Sequence, residues 1–480
     1  MTSEELLILI DKVTASRSEY QHIELKAAEK GCPERLYDSL SSFSNRDDGG
    51  IIIFGINEKN SYEKCGVYDL HDLQQKVTEQ CNSMTPKVRP LFSYAEIDGK
   101  YFCSAEIPAV DISERPCFYS GKGRLKGSYI RVGTNDELMS EYEIYSFEAY
   151  RKKYQDDIRI VPRVTKASLN QSELDRYIKL LSENKPNLSK LDKEQICELL
   201  SITVDGNYSL TAALLFGIYP QAYFPQLCII ATAVPGTQAG TIGQSGERFV
   251  DNRRIEGTIR DMLSEAMTFV KNNIRVKTVI DSFTGERKDI PEYPLTAVRE
   301  VILNALVHRD YSIHTEGMPI QLQIFTDKIV VTNPGGLYGR ITLDQLGQTQ
   351  PDTRNSVLAT ALETLKLTEN RYSGIPTIRR EMKEYGLEMP QFENQRGVFK
   401  VVLFREKQVS EDIYVDSDDI VAFCSTPKTR QEIAEFLGIK SVTYAISTYV
   451  MPLVESGDII LSNPAHPKSP SQKYISAQKK

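Results

Sequence analysis

The chain has 480 residues, 40% hydrophobic and 26% charged, with a formal net charge of −7. That length exceeds one ordinary core and predicts two to four domains of globular composition. The acidic balance excludes a polycationic nucleic-acid binder at the level of the whole chain, so any such contact has to come from local patches. The eight cysteines are scattered and form no Cys-x-x-Cys pair, which argues against a zinc site or a disulfide framework. No apolar run approaches membrane-spanning length, and MTSEELLILIDKV reads as a short acidic helix rather than a signal peptide. A cytoplasmic protein with no membrane partner is expected.

The first segment, residues 1–153, reads as α+β or α/β. Helical periodicity covers Ile8 to Val13 and Leu36 to Phe43. The glycine-bounded run Gly49 to Ile56 is β-branched and predicts a buried strand, and the runs Leu91 to Ile97 and Tyr101 to Ile107 predict a hairpin turning at Asp98-Gly99. Two features here bear on chemistry. In SEYQHIELKA, Glu24 and Lys26 alternate with Ile23 and Leu25, so both are expected on the polar face of a strand with Glu19 just upstream. Two carboxylates beside a lysine suit a divalent cation and a scissile phosphate, whereas a solvated strand edge with a weak ion pair is the plainer reading. The second feature is RPCFYSGKGRLKGSYIRVG, with five basic residues (Arg115, Lys122, Arg124, Lys126, Arg131), no acids, and the aromatics Phe118, Tyr119 and Tyr129 interleaved. Such a hairpin suits nucleic acid, cations meeting phosphates and rings stacking on unpaired bases; it equally suits a solvated loop that offsets an acidic segment.

The arrangement E-x4-ELK, SFSN-x3-GG-IIIFGI and SYIRVG over roughly residues 15 to 135 resembles the AlbA-type domain shared by Schlafen proteins and many bacterial proteins described as DNA-binding or transcriptional regulators. Some Schlafen proteins are metal-dependent ribonucleases. That resemblance implies Glu19 and Glu24 as metal-binding glutamates and Lys26 as the nearby lysine. At the place of the third acid the chain reads Asn57-Glu58, which leaves Glu58 as the candidate.

The middle, 166–292, is expected to form a further α/β lobe. Helices are expected over Ser172 to Leu200 with a break at Lys185-Pro186-Asn187, followed by buried runs Ala212 to Ile218 and Leu227 to Val234, a glycine-rich loop, and an amphipathic helix from Arg253 to Asn273. The repeated Phe-Gly-Ile at Phe54 and Phe216 hints at two related lobes.

In the third segment, 293–405, the stretch REVILNALVHRDY is expected to be helical. Glu300, Asn304 and His308 step by four along one stripe of it. A carboxylate, an amide and an imidazole in one row suit a hydrated Mg2+ over a phosphate chain, with the carboxylate polarising water; an ordinary amphipathic helix with a polar wet face has the same pattern. Strands are expected at Gln321 to Phe325 and Lys328 to Thr332. Asn333-Pro334-Gly335-Gly336 follows, where backbone can approach a nucleotide and Asn333 can bond an adenine edge. Arg354-Asn355 opens a helix, and Ser373-Gly374 leads into another whose N-terminus is a natural phosphate seat.

The order of these elements resembles the ATP-binding fold of the gyrase, heat-shock ninety, histidine kinase and MutL (GHKL) group. It looks closest to RecG-related bacterial regulators that combine this domain with an AlbA-type domain. The resemblance implies ATP with Mg2+: Glu300 as the base that activates water, Asn304 as the metal ligand, and His308, Asn333, Gly335, Gly336, Arg354, Asn355 and Gly374 around the nucleotide. Asn333 stands where that group has an aspartate, and an amide also accepts a hydrogen bond.

The last piece, 416–480, reads helix, turn, helix, strand. A capping box at Thr429 and Glu432, a stop at Gly438 and a second helix from Ser441 to Glu455 give the pattern of a winged helix. Together these readings predict a multidomain α+β chain acting as an ATP-responsive nucleic-acid-binding protein, a bacterial transcriptional regulator bound to DNA or RNA. The alternatives are a Schlafen-like metal-dependent ribonuclease or phage-defence effector gated by ATP, and a self-assembling scaffold with a degenerate ATP site. A homo-oligomer is implied by resemblance.

Overall fold

In the computed structural model, which describes residues 1–280, 287–368, 373–395, 397–405, 417–437, 446–463 and 472–477, the apolar run at Gly50 is the middle of the first sheet. Helix α1 (Ser3–Ser16) starts from a Thr2/Glu5 capping box, and strand β1 (Ile23–Lys26) follows. Next come α2 (Tyr37–Ser44), β2 (Gly50–Phe54), α3 (Leu70–Asn82), β3 (Leu91–Ile97) and β4 (Lys100–Ile107). The strands lie in the order β1-β2-β4-β3, with only β1 and β2 parallel. Side chains alternate across this sheet. Ile23, Leu25, Ile53 and Phe102 pack on α1, while Ile52, Phe54, Cys103 and Ala105 pack on α2 and α3. The Asp98-Gly99 turn has both residues at positive φ, as a tight two-residue hairpin needs.

The basic stretch is not one hairpin. Its first half is a short strand, Phe118–Tyr119, and a helical turn, Gly123–Gly127. Only then does β5 (Tyr129–Val132) pair with β6 (Asn135–Leu138), against α2. Helix α4 (Glu141–Lys152), capped by Ser140 and Glu143, leads onward.

The expected middle lobe does not stand apart. After α5 (Gln171–Asn184), α6 (Lys193–Leu199) and the wholly buried α7 (Leu210–Phe216), strands β7 (Ile229–Ala233) and β8 (Asp251–Ile255) join the sheet of the following segment. That segment adds α8 (Ile259–Asn273), α9 (Leu295–His308), β9 (Ile320–Ile324) and β10 (Lys328–Pro334). It continues with α10 (Ser356–Thr364), α11 (Gly374–Glu384), β11 (Gln391–Gln395) and β12 (Val398–Phe404). The six strands run β8-β7-β9-β10-β12-β11, antiparallel except for β7 with β9. A boundary at 292/293 would therefore cut one sheet, and one apolar core runs from Val161 to Leu403. Two further expectations are corrected. Arg253 to Asn273 is β8 and then α8, separated at Gly257, whose φ is +105°. The two Phe-Gly-Ile runs differ, one leaving a strand and the other ending a helix.

The unit beyond Arg405 has its own small core, with Ile433, Val450, Ile459 and Tyr474 inside it. It contains helices Ser417–Phe423, Arg430–Phe436 and Met451–Glu455 and a three-stranded sheet, and the Thr429/Glu432 capping box is formed. Gly438 and the start of the expected second helix at Ser441 lie outside the described residues. Among the described residues no helix is long and apolar enough to cross a membrane.

Asn355 fixes the end of α9. Its Nδ2 donates to the carbonyls of Val307 and Arg309, both at 2.8 Å, and its side chain is fully buried. Asn355→Ala leaves two carbonyls unpaired and is expected to lower stability by about 1–3 kcal/mol in urea unfolding. An unchanged midpoint would contradict this role.

Candidate functional site

Helix α9 turns Val298, Ile302 and Leu306 inward, and the stripe Glu300, Asn304 and His308, with Val301 and Ala305 beside it, faces a cleft of about 1050 Å³. The facing wall comes from Asn333, Gly335, Gly336 and Arg354, and the start of α11 at Gly374 closes one end. A Cβ on Gly374 would sit 2.4 Å from Glu300 Oε1 and 2.9 Å from Asn304 Nδ2, so only glycine brings this helix N-terminus onto the row. Gly335, at φ +101°, passes close over Asp310 in the same way. Asn355 does not line the cleft; it serves α9 from behind.

Asn333 is 5% exposed, and its Oδ1 is buried with no hydrogen-bond partner among the described residues. Val331, Phe399, Val401 and Ile378 also line the cleft, giving it apolar walls. An unpaired buried carbonyl costs roughly 1–3 kcal/mol, so this atom retains the capacity to accept a hydrogen bond. His308 lines the cleft with its side chain exposed to solvent; the protein packed around it, then the charge of Arg354, lowers the basicity of its imidazole.

Beneath the cleft lies a buried polar floor. Arg354 Nη1 meets Asp310 Oδ2 at 2.6 Å, and Arg354 Nη2 donates to the Gly336 carbonyl at 3.1 Å. Burial opposes ionisation of Asp310, yet Arg354 and the Ser312 N–H hold its carboxyl below the usual range. Helix α4 reaches this floor. Tyr142 donates to Asp310 Oδ2 at 2.8 Å, Tyr150 donates to Asp352 Oδ2 at 3.0 Å, and Asp352 lines the cleft. These tyrosines and Asp310 belong to no motif in the sequence, although EYEIYSFEAY repeats tyrosine near helical spacing and Asp310 lies two residues beyond the row.

The acids of the first domain are arranged differently from expectation. Glu24 is 9% exposed, turned into the face covered by α2. The cation between the glutamates is Arg131, whose side chain is fully buried: it lies 2.8 Å from Glu24, 2.9 Å from Asp136 and 3.8 Å from Glu19. Lys26 pairs with Glu24 as well. Desolvation, then the charge of Glu24, pushes the Glu19 carboxyl up to about 7, with Glu58 adding to the effect. Among the described residues no group of three or more His, Cys, Asp or Glu side chains is placed to hold a metal. A divalent ion at Glu19 and Glu24 would have to displace the guanidinium, so the acids and Arg131 do not fit a resident metal.

The expected nucleic-acid patch is corrected in the same way. Arg115 is buried and bonded to Asp47 at 2.7 Å and to the Arg46 and Val110 carbonyls; Arg124 pairs with Glu148; Tyr129 is buried. Lys122 and Lys126 remain exposed. Lys122 lies 4.6 Å over the ring of Tyr37, which stacks on Tyr119 with centroids 4.6 Å apart.

A helix row and a glycine-rich corner enclosing a cleft on a mixed sheet, preceded by a three-layer α/β domain, define a two-module class of chain. Residues 19–140 match the family model "Schlafen, AlbA_2", and residues 317–403 match "Putative ATP-dependent DNA helicase recG C-terminal". The chain thus carries a Schlafen AlbA_2 domain followed by a domain of the recG C-terminal family. Among solved structures, it is similar to the DIP2311 protein from Corynebacterium diphtheriae, at 18% identity over 99% of this chain and 97% of that one, TM-score 0.40. It is also similar to the N-terminal domain of a RecG-related protein from Nitrosomonas europaea, at 24% identity over 28% of this chain and 94% of that one, TM-score 0.23. No curated protein matches the chain.

Arg131→Met leaves Glu19, Glu24 and Asp136 crowded without their cation. It is expected to destabilise the first domain by about 3–5 kcal/mol, read as a lower thermal midpoint. A midpoint equal to that of the unaltered chain would show that the arginine does not hold β5 to β1.

Proposed function

We propose that this chain binds ATP in the cleft and nucleic acid on its first domain, and that the nucleic-acid site responds to the nucleotide site through α4. The observation that carries this reading is the pair of tyrosines, Tyr142 and Tyr150, by which a helix leaving the AlbA-type domain is hydrogen-bonded to Asp310 and Asp352 at the cleft. In this reading the base lies between the apolar walls and donates to Asn333 Oδ1, the one buried acceptor there that lacks a partner among the described residues. The phosphates lie toward the N-terminus of α11, whose backbone N–H groups favour anions. Mg2+ would be held by Asn304, taking its other ligands from phosphate and water, and would neutralise phosphate charge. Glu300, on the same stripe, orients and deprotonates the attacking water. His308 offers a further hydrogen bond at the solvent-exposed end of the row.

Nucleic acid is met by the exposed Lys122 and Lys126 beside the stacked Tyr37 and Tyr119, a combination suited to phosphates and an unpaired base. A cytoplasmic transcriptional regulator that pairs with a second copy, with a winged helix in its last unit, completes the proposal. A nuclease is disfavoured by Arg131 in the acid cluster.

Coupling is read by fluorescence anisotropy of labelled DNA and RNA at fixed salt, with and without a non-hydrolysable ATP analogue and Mg2+. The expected result is a change in nucleic-acid affinity of at least about fivefold on adding nucleotide. Tyr142→Phe is expected to abolish that change while nucleotide still binds. Equal affinity in both states for the unaltered chain would overturn the proposal.

A further inference from the structure

We infer that the cleft does not select adenine over guanine, because the residue at its base-facing corner offers an amide that no described residue commits to one orientation. This inference rests on the nucleotide reading of the cleft and concerns which base it takes.

The Asn333 side chain lies at the end of β10, where the backbone pairs with Phe399 and the side chain is nearly buried. Among the described residues its Oδ1 has no partner and its Nδ2 makes no hydrogen bond. The neighbouring charged groups are engaged elsewhere. Asp310 is held by Arg354, Tyr142 and the Ser312 N–H, and Arg354 by Asp310 and the Gly336 carbonyl. Among the described residues at this corner, the Asn333 amide oxygen is left without a partner, and of the Arg354 guanidinium only Nε is unpaired.

An amide carries one acceptor and one donor face, and a half-turn about its last torsion exchanges them. Adenine presents an exocyclic N–H donor beside a ring-nitrogen acceptor. Guanine presents a carbonyl acceptor beside a ring N–H donor. Asn333 satisfies the first with Oδ1 toward the exocyclic amine and the second with Nδ2 toward the carbonyl. A carboxylate at this position would accept only and would leave the guanine carbonyl facing a buried negative charge. The flat apolar walls at Val331, Phe399 and Val401 contact the purine faces, which the two bases share.

The test is calorimetric titration of the full chain with the non-hydrolysable triphosphate analogues of adenosine and guanosine, each with Mg2+, for the unaltered protein and for Asn333→Asp. The unaltered chain is expected to bind the two within about tenfold of each other, and the variant to shift the ratio toward adenine by about 10²-fold. Binding of the adenine analogue with rejection of the guanine analogue by about 10²-fold or more overturns the inference and leaves the nucleotide reading standing. An unchanged ratio in Asn333→Asp also overturns it, since another group would then read the base. Failure of the unaltered chain to bind either analogue overturns both this inference and the reading on which it rests.

Discussion

The ion pair between Asp310 and Arg354 is the constraint on which the cleft depends. Both side chains are almost wholly buried, so neither tolerates loss of the other; an uncompensated buried charge costs about 3–5 kcal/mol. Asp310 follows α9 directly, and Arg354 precedes α10 and bonds the Gly336 carbonyl. One contact thus sets the row of Glu300, Asn304 and His308 at a fixed separation from the glycine corner. The same carboxylate oxygen takes the hydroxyl of Tyr142, so α4 is registered against the cleft through the group that shapes it.

A second buried arginine organises the first domain by the same chemistry. Arg131 draws Glu19, Glu24 and Asp136 together and lies over the ring of Phe43, 5.1 Å away, joining β1, the β5–β6 hairpin and α2. Residues that resemble a cation-binding acid cluster in sequence are here a cluster whose cation is part of the chain. The consequence for function is a division of labour: the acids of the first domain hold its shape, and the open polar chemistry belongs to the cleft and to the exposed lysines near Tyr37.

How much of this was legible in the sequence depended on the range of each interaction. The cleft-facing row was readable because residues four apart share a helix face, and the strands at Ile320 and Lys328 showed their alternation. The union of β7 and β8 with β9 to β12 was not, because β7 pairs with a strand that follows only after β8, α8 and α9. The arginines at 115, 124 and 131 read as a surface patch because composition shows charges but not partners, and Asp47 and Glu148 lie far along the chain. Asn355 was placed around the nucleotide with Arg354 by resemblance; Arg354 lines the cleft, whereas the Asn355 side chain is buried against the end of α9. The tyrosine stripe of α4 was visible in the sequence but had no known surface to meet until the floor of the cleft was placed.

The central claim is that nucleotide in the cleft is felt in α4. Amide hydrogen exchange of the full chain, with and without a non-hydrolysable ATP analogue and Mg2+, tests it most directly. Exchange across Glu141–Lys152 is expected to slow together with that of the Gly335 corner and the start of α11. Protection confined to the corner and α11, with α4 exchanging as before, would contradict the account.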